Sequence, residues 1–257
     1  MVIFMKEKLY TIPLNDAVNA HDECPLCFVE RSLEQDMLDF TLGSSASYME
    51  SDVRGMTDRE GFCRTHFKKM FDYGNTLGNA WILKTHYAKM RSEFQSITKN
   101  YQPGKTSLSD KLLKKNAGRN PLAGWVHTKE DSCYICSRMK EIYVCYIDTF
   151  FVMFEQDEEF KNKIKNCKGF CLPHFADLCE GADKKLSGKA LSDYYEIIIP
   201  LMQQNLDRMQ EDVDWMVEKF DYRYKDADWK NSKDAIQRGM QKLKGGYPAD
   251  APYKPVK

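Results

Sequence analysis

Apolar residues recur at steps of three and four along most of this chain, the spacing that places them on one face of an α-helix. After Cys27, the segment Phe28 to Leu42 puts Val29, Leu33, Met37 and Phe40 on such a face, and Gly43 stands where the helix should stop. After Cys136, Met139 to Phe154 repeats the pattern with a heavier load at Met139, Ile142, Tyr146 and Met153. Its Tyr, Ile, Val and Phe content makes a strand the minor alternative there. A further helix is predicted in each half. Leu77, Trp81, Tyr87, Met90 and Phe94 mark the first, and a longer stripe from Leu191 through Ile198, Met202 and Met209 to Phe220 marks the second, with a kink at Pro200. A short helix over Ser232 to Leu243 precedes Gly245 and Gly246, and an extended tail is expected from Tyr247 onward. No alternating apolar and polar run supports a sheet, so the pattern predicts an all-α protein.

The chain also repeats itself. Cys24-Pro25-Leu26-Cys27 is followed by Gly61-Phe62-Cys63-Arg64-Thr65-His66-Phe67, and Cys133-Tyr134-Ile135-Cys136 by Gly169-Phe170-Cys171-Leu172-Pro173-His174-Phe175. The offset is 109 residues from Cys24 to Cys133 and 108 from Cys63 to Cys171. Composition alone would yield roughly 0.3 Cys-x-x-Cys and roughly 0.2 Cys-x-x-His in such a chain, so two of each at matched separation form a pattern. The glycine should make a turn, with the histidine in the first turn of the following helix.

A two-residue spacer lets both side chains turn toward one ion, and three thiolates with one imidazole make a closed tetrahedral set for zinc. The direct reading is two tandem helical repeats. One ion would be held by Cys24, Cys27, Cys63 and His66, the other by Cys133, Cys136, Cys171 and His174. Spacing leaves open whether ligands cross between copies, and it does not name the metal. An iron–sulfur cluster or thiol redox chemistry on the same residues is the alternative. Cys145, Cys167, Cys179, His21, His86 and His127 find no repeat partner at these offsets, so the three cysteines are expected to be core thiols and none of the six is expected to be a ligand.

The domain reading follows: residues 1–104 as the first metal-binding repeat, 105–131 as a basic linker, 132–224 as the second repeat, and 225–257 as a short helix with a tail. With 257 residues and 42% hydrophobic composition, the chain has ample material for a buried interior. Lys plus Arg and Asp plus Glu are both 38, so no net field draws the molecule to nucleic acid. The local excess of Lys105, Lys111, Lys114, Lys115 and Arg119 reads as a solvated linker. No secretory leader is read in the first ten residues, and the longest apolar stretch, Ile142 to Phe154, is 13 residues, too short to span a bilayer. Nine cysteines in a reducing compartment favour metal over disulfides. The expected setting is therefore cytoplasmic. Four protein ligands leave no open position for hydrolytic chemistry, so a binding module for a protein or small molecule is expected, and the long helices leave room for a homodimer.

The opening Tyr10-Thr11-Ile12-Pro13-Leu14-Asn15-Asp16-Ala17, with Glu23-Cys24-Pro25-Leu26-Cys27, Asp39-Phe40-Thr41-Leu42-Gly43 and Gly61-Phe62-Cys63-Arg64-Thr65-His66-Phe67, resembles a bacterial family of unknown function, found mainly in anaerobes, with duplicated motifs of this kind. The resemblance covers nearly the whole chain. It implies the same eight ligands and no established activity.

Overall fold

The structure, a computed structural model, describes residues 2–99, 101 and 120–246. These residues form helices and short 3-10 turns, with no strand among them. The helices are α1 (Val2–Asn19), α2 (Pro25–Leu42), α3 (Ser51–Glu60), α4 (Arg64–Tyr73), α5 (Thr76–Thr98), α6 (Pro121–Glu130), α7 (Tyr134–Gln156), α8 (Glu158–Lys165), α9 (Leu172–Lys185), α10 (Gly188–Glu218) and α11 (Ala235–Lys244). The all-α expectation holds.

Local chemistry sets many of the boundaries. Pro25 begins α2, where a missing N–H costs nothing because that group would have no helical partner. The side chains of Asn75, Asn120 and Asp157 accept backbone N–H bonds at the starts of α5, α6 and α8. α4 closes on Gly74 in the left-handed conformation. α10 continues through Pro200 rather than stopping there. Pro200 and Glu196 are both exposed, so water can take the carbonyl that the proline leaves free.

The glycines of the repeated Gly-Phe-Cys motif do make turns. Gly61 has φ +61° and Gly169 has φ +72°. A Cβ on Gly61 would also stand 2.9 Å from the His86 ring. Gly61→Ala should therefore destabilise by about 1–3 kcal/mol, read as a lower urea midpoint at unchanged m-value.

The described residues divide into two compact units. One comprises the chain up to Leu33 together with that from Glu141 onward; the other runs from Glu34 to Lys140. The boundaries fall inside α2 and inside α7, so the units are not the two sequence copies in order. The Glu34–Lys140 unit is built on Leu38, Leu42, Val53, Phe62, Met70, Ile82, Tyr134 and Ile135. The other is built on rings: Phe150 meets Phe151, Phe154, Phe160 and Phe170 at centroid separations of 5.3 to 6.3 Å, and Tyr194 packs on Phe151 and Phe154. Gly181 lets α9 approach this cluster, since a Cβ there would lie 2.5 Å from the Phe151 ring.

The stretch read as linker ends in helix α6, not in loop. Trp125 packs against Phe94 and donates its indole N–H to Glu93 at 3.0 Å, which holds α6 on α5. The basic cluster and the tail lie outside the described residues. Several side chains placed on the predicted apolar stripes face solvent, among them Leu77, Tyr87 and Phe220. Periodicity finds a face but not whether another element covers it.

Candidate metal centres

Each of the four motif halves occupies the same position in its own helix. The first residue of the pair stands immediately before the helix and the second is the third residue inside it, as with Cys24 and Cys27 on α2. Cys63 and His66 stand so on α4, Cys133 and Cys136 on α7, and Cys171 and His174 on α9. In all four, the leading cysteine carbonyl accepts the N–H four residues on, at 2.8 to 3.2 Å, which closes the first helical turn. Side chains at these two positions both point past the helix N-terminus. Thiolates there are stabilised by the free N–H groups and the positive end of the helix dipole.

Folding pairs these helix starts crosswise. Cys24, Cys27, Cys171 and His174 bring their ligand atoms within 4.8 Å of one another, and so do Cys63, His66, Cys133 and Cys136. All eight residues singled out from the sequence are thus gathered, but not in the sets read there. Closure within each copy is corrected: the Cys-x-x-Cys of one copy meets the Cys-x-x-His of the other. The physical reason lies in the unit boundaries, because the start of α2 packs with the α9 unit while the start of α7 packs with the α4 unit.

The first cluster is buried throughout. His174 Nδ1 lies 3.3, 3.5 and 3.1 Å from the sulfurs of Cys24, Cys27 and Cys171, and the Cys27 and Cys171 sulfurs are 3.6 Å apart. In the second cluster, His66 Nδ1 lies 3.3, 3.2 and 3.4 Å from Cys63, Cys133 and Cys136, with 4.0 Å between the Cys63 and Cys136 sulfurs. Around a tetrahedral zinc, the bond lengths to sulfur and nitrogen imply edges of about 3.8 Å for S···S and about 3.5 Å for S···N. The spacing of both sets fits such an ion.

Beyond the ligands, each histidine has its far nitrogen occupied. His174 Nε2 meets Glu30 at 3.1 Å, and His66 Nε2 meets Glu34 at 3.0 Å. A carboxylate there fixes the tautomer that leaves Nδ1 free to ligate and makes the imidazole a stronger donor. Sequence reading missed both glutamates. A signal was present, since they stand three and seven residues after Cys27 on the same helix face. The positions with the same spacing after Cys136 are Met139 and Tyr143, and the Tyr143 ring packs on His174 at 5.7 Å.

The same contacts shift the proton affinities of these groups. Burial pushes His66 down, but the Cys133 sulfur and Glu34 outweigh it and lift the imidazole to about 10. Burial raises Cys133, yet His66 and the N–H groups of Cys136 and Cys63 bring its thiol down to about 6. Burial and the neighbouring Cys133 and Cys63 push Cys136 up to about 12. His174 is likewise raised by its three sulfurs and Glu30, against the effect of burial.

The two motifs in each cluster are also clamped together. In the second, Tyr134 N–H donates to Gly61 O at 2.9 Å, and Ser132 Oγ to Glu60 O at 2.7 Å. In the first, Pro25 stands where Tyr134 would be and has no N–H to give. There the Lys242 ammonium, from α11, donates to Glu23 O and Lys168 O at 2.6 Å each. Gly245, the residue after α11, lies close to the cluster: a Cβ on it would sit 3.5 Å from the Cys171 sulfur.

Cys145, Cys167 and Cys179 lie outside both clusters and are half-buried, which corrects the core placement of all three. His21, His86 and His127 are not in the clusters either; His86 Nδ1 faces Asp58 O at 3.1 Å.

Among the described residues, a helical fold with two Cys3His groups, each of which could hold a metal ion, defines the class of protein. The chain belongs to a family of unknown function, DUF6062, whose model matches residues 5–250. Comparison with curated proteins and with solved structures finds no match. No helix among the described residues is long and apolar enough to cross a membrane.

Proposed function

We propose that this protein is a zinc-binding helical scaffold, in which two structural ions each pin a pair of helix N-termini and leave outer helical faces for a partner. The observation that carries the reading is the closed donor set: three sulfurs and one imidazole nitrogen at tetrahedral spacing, with the far nitrogen of each histidine committed to a glutamate. A structural zinc takes four such ligands and keeps no position for water. All nine cysteines are free of disulfides, which supports a reducing compartment and a cytoplasmic setting. The partner is a protein or small molecule; exposed Leu77 and Tyr87 on α5 offer apolar contact area to it.

Metal analysis of protein purified without a metal-affinity column tests the reading. Two zinc ions per chain and a colourless solution are expected, one for each cluster. A brown protein with iron and labile sulfide would replace zinc by iron–sulfur clusters, and a metal-free protein would overturn the reading.

A further inference from the structure

The two clusters share a ligand set but not an environment. All four residues of the first are buried, and Gly245, the residue after α11, comes so close that a Cβ there would stand 3.5 Å from the Cys171 sulfur and 3.8 Å from that of Cys27. In the second, Cys136 is exposed and Cys63 half-buried, while Cys133 and His66 are buried. The two more accessible sulfurs are neighbours, 4.0 Å apart.

We infer that Cys136 and Cys63 form a peroxide-sensitive pair whose oxidation releases the second ion while the first stays bound. This rests on the metal-binding reading above. Zinc-bound sulfur keeps nucleophilic character, and oxidation selects the thiolate that the oxidant can reach. The oxidant is a hydroperoxide, with hydrogen peroxide as the simplest case. The Cys136 sulfur attacks the O–O bond, becomes a sulfenic acid and releases hydroxide. The Cys63 sulfur then attacks the Cys136 sulfur, forming the S–S bond and expelling a second hydroxide. Two thiolates and one peroxide thus give one disulfide and two hydroxides, with two electrons passing from sulfur to oxygen. Cys133 and His66 remain as the ion's only protein ligands, and Zn²⁺ leaves. The sulfurs must close from 4.0 Å to about 2.05 Å, a displacement that side-chain rotation can supply once the ion no longer holds them apart.

The test uses the wild-type full chain, so it does not depend on any variant folding. Zinc content is measured first. One equivalent of hydrogen peroxide is then added, free zinc is followed with a chromogenic chelator, and the products are mapped by peptide mass spectrometry. One of the two ions should leave at least about tenfold faster than the other, with a Cys63–Cys136 disulfide as the product, and dithiothreitol with added zinc should reverse the change. A preparation that never held two zinc ions overturns the metal-binding reading and this inference with it. Equal release of both ions, earlier loss from the first cluster, or a disulfide that does not join Cys63 to Cys136 overturns the inference alone.

Discussion

Replacing Cys24 and Cys171 together by serine should cost the protein one metal ion per chain, whereas replacing Cys24 and Cys63 together should cost it both. The difference follows from the crosswise pairing. Cys24 and Cys171 belong to one cluster, and Cys24 and Cys63 to two. Closure within each sequence copy would give the opposite result, so atomic spectroscopy on the two double variants separates the arrangements directly. Stability should follow the metal. A structural zinc supplies apparent binding energy of about 10 kcal/mol or more, which is also folding energy where the site does not exist in the unfolded chain. Loss of the buried first ion should therefore lower stability by more than about 4 kcal/mol, beyond the range of ordinary substitutions. Thermal melting should show the Cys24 and Cys63 variant unfolding at the lower temperature.

The second large effect is expected at Glu23. Its side chain is 2% exposed and lies 2.5 Å from Arg208, 3.3 Å from Arg238 and 3.3 Å from Lys242, with Lys168 at 3.9 Å. Lys242 is 1% exposed and Arg238 8%. Asp212 also meets Arg238, at 2.9 Å, but among the described residues no other carboxylate is within ion-pair distance of Lys242. Glu23→Ala would strand that ammonium in the interior, and breaking a buried pair in this way costs about 3–5 kcal/mol. Because Lys242 also joins Glu23 O to Lys168 O beside the first cluster, the loss should spread to the ligands. Urea unfolding with and without a chelator measures both parts, and a variant as stable as the parent would remove the network from the account.

The same glutamate makes an acid-sensitive joint. Burial raises its carboxyl, but the Arg208 hydrogen bonds and the charges of Lys242, Arg208 and Lys168 outweigh that and hold it below its ordinary value of 4.5. A carboxyl depressed on folding contributes stability that is complete above pH 4.5 and disappears as pH falls through the folded value. Acid unfolding should therefore begin at higher pH in Glu23→Gln than in the parent, with metal loss in parallel.

Much of the fold was legible because helices are local. Steps of three and four residues, Gly43 after α2, Gly61 before Cys63 and Pro25 at the start of α2 each act within a turn or two of chain. The helix over Ser232 to Leu243 appeared as α11 for the same reason. α6 was missed because its signal, Asn120-Pro121 followed by an isolated Trp125, needs the contact with Phe94 and Glu93 to become a helix rather than a loop. The stripes were overread in α5, where Leu77 and Tyr87 follow the period yet remain exposed.

The sequence by itself picked out the eight candidate ligand residues and the way each pair is presented, because a cysteine before a helix and a second Cys or His at its third residue aim at a common point whatever lies beyond. Only the tertiary structure decided which pairs share that point. Spacing along the chain is blind to it: Cys24 is 39 residues from Cys63 and 147 from Cys171. The choice is made by packing, where the buried rings and the Glu23 network gather α2's first turns with α9, and the Leu38 and Ile82 core gathers α7's first turns with α4. Packing also decided that one cluster is buried, with Gly245 beside it, and that Cys136 stays exposed in the other, a difference invisible in two motifs that read alike.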